Sequence, residues 1–163
     1  MTKRKLIDDQ WRCYNITDLG CNGPRDVCEY CGYPNLRFAH HLKRSTGEIM
    51  VVGCCCASQI CSNYNGVEAE RIMMNYAGRR KHWASRVWLR SARGNDHIKI
   101  GDLAGGIFGS GGAIGWWARL NGAPCEFGKD KYPTQVEAKL ALFDYIFPAK
   151  DEIYRALKET TNV

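Results

Sequence analysis

Two thiols at C-x-x-C spacing, Cys28-Glu29-Tyr30-Cys31, are followed about twenty residues later by Gly53-Cys54-Cys55-Cys56-Ala57. The first pair sits on a tight knuckle, where both sulfurs can face one ion. The second cluster, across an intervening hairpin, can supply the rest of a tetrahedron. Residues 1–64 hold eight of the nine cysteines. They carry too few apolar side chains for a core of their own, so an ion is expected to hold hairpin to helix. The ligands read from the spacing are Cys28, Cys31, Cys54 and Cys56, around a structural zinc ion. His40, His41, Cys55 or Cys61 could take one of these places. Buried thiols without metal and an iron–sulfur cluster are the competing readings.

The order of elements around these cysteines is that of a treble clef or zinc ribbon. Leu36 to Leu42 alternates as a strand, Ser45-Thr46-Gly47 reads as a turn, and Glu48 to Val52 returns. A short helix is expected near Ala57-Ser58-Gln59-Ile60. A catalytic zinc would need an open position and a general base, and a deaminase-type site would need His-x-Glu, which the chain lacks. A structural metal in a protein that is not an enzyme is therefore expected.

Charge is unevenly placed. The chain has 163 residues and a net charge of +6, yet residues 66–101 alone carry +5 and residues 102–163 carry −1. From Arg71 to Asn95 there are seven basic residues and no acid. Solvated helix faces normally mix signs to gain i,i+4 pairs, so a one-signed run points to a polyanion, most often nucleic acid. Arg79, Arg80, Lys81, Arg86, Arg90 and Arg93 are the expected backbone contacts, giving salt-dependent affinity with little sequence information. DNA and RNA fit equally, and no membrane or small-molecule partner is indicated. No signal peptide follows Met1 and the longest uncharged stretch is too short to span a bilayer, so a cytoplasmic location is expected.

Residues 65–90 read as one basic helix. Asn65-x-x-Glu68 has capping-box spacing, and Val67, Met74, Ala77, Ala84 and Trp88 form the expected buried stripe. Gly78 interrupts the pattern. Beyond a turn at Ser91–Asn95, His97–Ile100 and Trp116–Leu120 read as strands. The glycine-rich run from Gly105 to Gly115 reads as the connection between them, and Asn121-Gly122 as a tight hairpin turn leading to a strand from Cys125 to Gly128. Thr134-x-x-Glu137 is a second capping box. Its helix carries Val136, Leu140, Phe143 and Phe147 on one face, and Pro148 stops it or opens a last helix. Trp83, Trp88, Trp116 and Trp117 are core anchors or base-stacking surfaces. Gly109–Gly115 lacks the Gly-Lys-Ser/Thr of a phosphate loop, and no Ser/His/Asp or paired-carboxylate arrangement stands out.

Cys28-Glu-Tyr-Cys31-Gly32, Arg37-Phe38-Ala39-His40-His41 and Val52-Gly53-Cys54-Cys55-Cys56-Ala57, with Trp88 to Asn95, resemble a group of small uncharacterised zinc-ribbon-like proteins of phages and bacteria. That resemblance implies zinc and a phage or mobile-element origin, and no activity. Trp117-Ala118-Arg119-Leu120, Phe127-Gly128, Tyr132-Pro133-Thr134 and Glu137 to Asp144 are similar to the DNA-binding domain of ethylene-response factors, which implies a three-stranded sheet packed on a helix.

The chain thus reads as α+β. Residues 1–64 form a zinc-ribbon or treble-clef module, 65–90 a basic connecting helix, and 91–163 an antiparallel sheet packed on a helix. The expected function is non-enzymatic, zinc-stabilised nucleic-acid binding. The alternative is a protein-interaction module that inhibits a host defence or nucleic-acid machine.

Overall fold

The computed structural model describes residues 11–20, 23–110, 115–125 and 131–161; of Ser110, Gly115, Trp117 and Pro124 only the backbone is described. These residues form four helices and two antiparallel sheets, an α+β architecture. They divide into two compact units. One runs up to Tyr76 and takes in the residues from Lys150 onward, and the other is Ala77–Ala149. The boundary falls inside the basic helix, where the sequence suggests a separate connecting element at 65–90, and the C-terminal helix belongs to the first unit.

In the first unit β1 (Trp11–Asp18), β2 (Phe38–Arg44) and β3 (Ile49–Val52) lie in that order. The β2–β3 hairpin is the expected one, pairing His40 with Val52 and Lys43 with Ile49. β1 escaped the sequence reading. Its pairing shifts between Cys13 and Asn15, so the period-2 pattern that marks a strand is broken midway. α1 (Cys54–Ile60) starts at the closing cysteines. Ile16, Phe38, Leu42 and Val52 from the sheet pack with Ala57 and Ile60 of α1. Ala69, Ile72 and Met73 of α2 (Gly66–Trp83) and Ala156 of α4 (Ala149–Thr160) complete this core. Against the expectation of too few apolar residues, most of this core comes from residues 1–64 themselves, and α2 and α4 add to it.

α2 ends at Trp83, well before the expected Arg90. The Ser85 hydroxyl donates to the His82 carbonyl and Arg86 N–H to the Trp83 carbonyl, so the last turn is closed by local bonds. Its buried stripe is Ala69, Ile72, Met73, Tyr76 and Trp83, while Val67 and Met74 are exposed. The expected stripe was rotated, because it followed residues that are apolar but lie on the solvent face. At the start of α2, Asn65 Oδ1 accepts from Glu68 N–H at 3.0 Å. Asn65 N–H donates not to Glu68 but to the Thr160 carbonyl of α4, at 2.9 Å. Half of the expected capping box is replaced by a tertiary bond.

The second unit is a five-stranded sheet in sequence order: β4 (Leu89–Arg90), β5 (Asp96–Ile100), β6 (Leu103–Ser110), β7 (Gly115–Leu120) and β8 (Ala123–Pro124). The glycine-rich run is therefore largely a strand, as far as Ser110, and not a loop. A Cβ at Gly105 would come within 2.7 Å of Leu142 Cδ2, so glycine there lets α3 (Gln135–Ile146) approach the sheet. Residues 111–114 and 126–128, the rest of that run and most of the expected strand after Cys125, lie outside the described residues. Asn121 and Gly122 both have positive φ (50° and 81°), as a two-residue hairpin turn requires. The Thr134–Glu137 box is complete in both directions. α3 buries Ala138, Lys139, Leu142 and Phe143, while Val136 is exposed, so its face too is rotated from the expected one. Pro148 separates α3 from α4.

Candidate metal centre and basic segment

The knuckle at Cys28–Cys31 is built by the backbone. Gly32 N–H donates to the Cys28 carbonyl at 2.8 Å, and Gly32 adopts φ 74°, which glycine takes without strain. The turn is anchored by Cys28 N–H bonding the Tyr33 carbonyl at 2.8 Å. Across from it α1 begins, and its Cys56 faces the knuckle. The sulfurs of Cys28, Cys31 and Cys56 all lie within 4.8 Å of one another. Thiolates around one tetrahedral zinc, at about 2.3 Å from it, stand about 3.8 Å apart, so only small side-chain adjustments separate this cluster from a ligand set. Cys28 is buried, Cys56 nearly so and Cys31 exposed.

The donors around Cys28 suit a thiolate. Burial alone would raise its pKa. Hydrogen bonds to its sulfur from the backbone of Gly53, Cys31 and Tyr30 and from the Cys31 side chain outweigh that and hold it below the ordinary thiol value. The Gly53 N–H to Sγ distance is 3.5 Å. Cys56 is pushed up to about 12, by burial first and then by hydrogen bonds to Cys31 and Cys28. Three thiols this close cannot all ionise without a cation among them. The donor set could therefore hold a thiophilic metal ion.

Cys54, the fourth ligand read from the sequence, lies outside this cluster of three. Its thiol hydrogen-bonds the Glu70 carboxylate, and its Sγ is 4.0 Å from that of Cys55. Burial, then Glu70 and Cys55, push it up to about 12. Cys54, Cys55 and Glu70 do line the same cavity of about 450 Å3 as Cys28, Cys31 and Cys56. Cys61 is buried at the other end of α1, in the core.

The two histidines part company because β2 alternates. His40 shares a face with Phe38 and Leu42 and is fully buried, whereas His41 turns the other way and pairs with Thr17 Oγ1 at 2.9 Å. His40 Nδ1 lies 2.9 Å from the Tyr64 hydroxyl, and its Nε2 stands 3.8 Å from Glu70 Oε2, an ion-pair and not a hydrogen-bond distance. His40 draws the Glu70 carboxyl below its usual value, burial opposes, and the Cys54 thiol adds to the lowering. Tyr64, His40, Glu70 and Cys54 thus form a polar chain that ends on the cavity. Glu70 and Tyr64 were not singled out in the sequence. Period-2 alternation could have sent His40 inward, but nothing local marks Glu70 except that it is an acid in a basic helix.

Of the six basic residues read as nucleic-acid contacts, Arg80 has a structural partner. It makes a two-pronged pair with Asp144 of α3, at 2.7 and 2.8 Å. Arg79 lies 5.4 Å over the Phe147 ring and Arg86 5.4 Å over Trp83. Lys81, Arg90 and Arg93 are exposed, with Arg90 3.9 Å from Asp96. Trp83 is buried and Trp88 half-buried, edge to face with it, so both anchor the core. No helix among the described residues is long and apolar enough to cross a membrane.

Comparison with family models, with curated proteins and with solved structures finds no match to this chain.

Proposed function

We propose that the chain is a zinc-stabilised nucleic-acid-binding protein without enzymatic activity. The observation that carries the metal half is the convergence of Cys28, Cys31 and Cys56 within 4.8 Å. In this reading Cys54, on the same cavity, supplies the fourth thiolate, and binding releases it from Glu70. Four thiolates leave no open position, so the ion's contribution is structural: it ties the knuckle to the start of α1.

The nucleic-acid half is supported by the acid-free run from Arg71 to Asn95 and by the exposure of Arg79, Lys81, Arg86, Arg90 and Arg93. Arg80 is set aside from the contact surface because Asp144 holds it.

Two measurements test the proposal. Metal analysis of protein purified without chelator should give one zinc per chain, and a value well below one overturns the site. Anisotropy titration against labelled DNA and RNA should show binding that weakens steeply with salt, and that weakens further in an Arg79→Ala, Lys81→Ala, Arg86→Ala variant. Absence of binding at low salt would turn the basic face into a protein-docking surface.

A further inference from the structure

β4 stands at one end of its sheet, and among the described residues it pairs with β5 alone. Ser91 N–H bonds the Asn95 carbonyl at 2.9 Å, so Ser91 turns its backbone toward β5. Backbone groups alternate along an antiparallel strand, which sends the N–H and C=O of Arg90 to the open edge. Beside that edge stand Val87, 89% exposed, and Leu89, 69% exposed. Leu89 lies opposite His97. Arg90 lies opposite Asp96, which Gln135 and Lys139 of α3 hold, so Arg90 is on the α3 face of the sheet and Leu89 on the other. Single exposed apolar side chains are ordinary. Two so close together, on a strand edge with open backbone groups, mark a contact surface.

Charge says what covers it. Arg86 and Arg90 are exposed on either side of this apolar pair, and the sequence holds no acid from Arg71 to Asn95. Arg90 is 3.9 Å from Asp96, outside hydrogen-bond reach, and Asp96 already accepts from Lys139 and Gln135. The Arg90 guanidinium is therefore left for an incoming carboxylate. A second copy of this chain fits badly, because β4 laid on β4 sets arginine against arginine. A nucleic acid would use the arginines but has no use for two branched aliphatic side chains, since bases stack on flat rings. An extended acidic peptide uses every group at this edge.

We propose that the β4 edge takes an extended acidic segment of a partner protein, added to the sheet as a further strand. Main-chain bonds to Arg90 fix its direction, and its side chains alternate between the two faces. Leu89 and Arg90 lie on opposite faces, so the segment alternates apolar residues, packed on Val87 and Leu89, with carboxylates that meet Arg86 and Arg90. This goes beyond the nucleic-acid reading, which leaves Val87 and Leu89 without a role.

The test starts from a displayed library of random peptides, selected on the full-length protein, and continues with titration of the enriched peptide. Enriched sequences should alternate acidic and apolar residues. The bound peptide should give new hydrogen-exchange protection at Arg90 N–H. Val87→Ser with Leu89→Ser removes only exposed side chains. It should weaken the peptide about tenfold and leave the melting temperature and any nucleic-acid affinity unchanged. Arg86→Glu with Arg90→Glu should turn the selection toward basic peptides. Failure to enrich any peptide, enriched peptides without acids, or equal binding by the serine variant would each overturn the proposal. Dimerisation that the serine variant abolishes would make a second copy the occupant. Protection of Arg90 N–H by labelled DNA or RNA alone would give the edge to nucleic acid. If the serine variant melts lower, protection at Arg90 in the wild type decides.

Discussion

The two units solve the same problem with different means. In the first, a short three-stranded sheet and a seven-residue helix are gathered around three converging thiols. Its apolar core exists, but Ala69, Ile72, Met73 and Ala156 reach it from helices outside the cysteine-rich segment. In the second, a five-stranded sheet packs on α3, and the described residues show no group of metal ligands there. Trp83 meets Phe143 and Phe147 edge to face, and a nearly buried Lys139–Asp96 pair at 2.7 Å ties helix to sheet. The cysteine-rich segment takes part of its apolar packing from α2 and α4. The five-stranded sheet is packed by large aromatic rings of its own unit.

The comparison breaks most visibly on removal of the zinc proposed above. Structural zinc contributes on the order of 10 kcal/mol to folding of small zinc modules. Chelation, or Cys28→Ser, should therefore unfold β2, β3 and α1 and leave β5, β6 and β7 intact. Hydrogen exchange resolved along the chain reads this directly. Parallel loss of protection in both units would show that they are one cooperative structure.

A smaller effect tests the borrowed helix. Removing residues from Ala149 onward takes away Ala156 and the flanking Ile153 and Leu157, and strips Asn65 N–H of its acceptor on Thr160. At about 1.5–3 kcal/mol per large apolar side chain, discounted for partial burial, the first unit should lose about 4 kcal/mol. The second should be unchanged in hydrogen exchange resolved along β5, β6 and β7. A change there would contradict the division.

Within the second unit the ion pair is the sharper probe. Asp96 accepts from Lys139 Nζ at 2.7 Å and from Gln135 Nε2 at 2.8 Å, and the Lys139 ammonium also lies 4.6 Å over the Trp88 ring. Asp96→Ala leaves that ammonium nearly buried and uncompensated, which should cost about 3 kcal/mol. The double variant Asp96→Ala with Lys139→Met should recover much of this, because a matched apolar pair often replaces a buried ion pair without loss. Equal losses in single and double variants would mean that the pair does not couple helix to sheet.

Sequence legibility follows the same divide. Local signals survived. The knuckle, the β2–β3 hairpin, the Asn121-Gly122 turn and the Thr134 cap are each specified by neighbouring residues. What failed depended on tertiary approach. Gly105 looked like a loop residue because the Leu142 side chain that demands it is 37 positions away in sequence. The faces of α2 and α3 were misassigned because exposed Val67, Met74 and Val136 imitate a stripe, while Ala69 and Ala138, small enough for close packing, carry little hydrophobic weight. At the candidate metal centre, spacing brought out Cys28, Cys31 and Cys56. It could not tell which of three consecutive cysteines turns to the knuckle, since that depends on where α1 starts its first turn.

The smallest effect is a contrast between two glutamates at equivalent positions. Glu137 accepts from Thr134 N–H at 3.0 Å while Thr134 Oγ1 accepts from Glu137 N–H at 3.2 Å. Glu68 occupies the same place in α2, yet its carboxylate pairs with Arg71, because Asn65 N–H already has the Thr160 carbonyl. Glu137→Ala should therefore cost the second unit about 1 kcal/mol, one lost hydrogen bond at a helix start. Glu68→Ala removes only a solvent-exposed ion pair and should leave the first unit's melting temperature unchanged. Thermal melts of the two variants decide the matter. Equal shifts would mean that Glu68 does cap α2 in solution, and that the C-terminal helix is not the partner that holds its first turn.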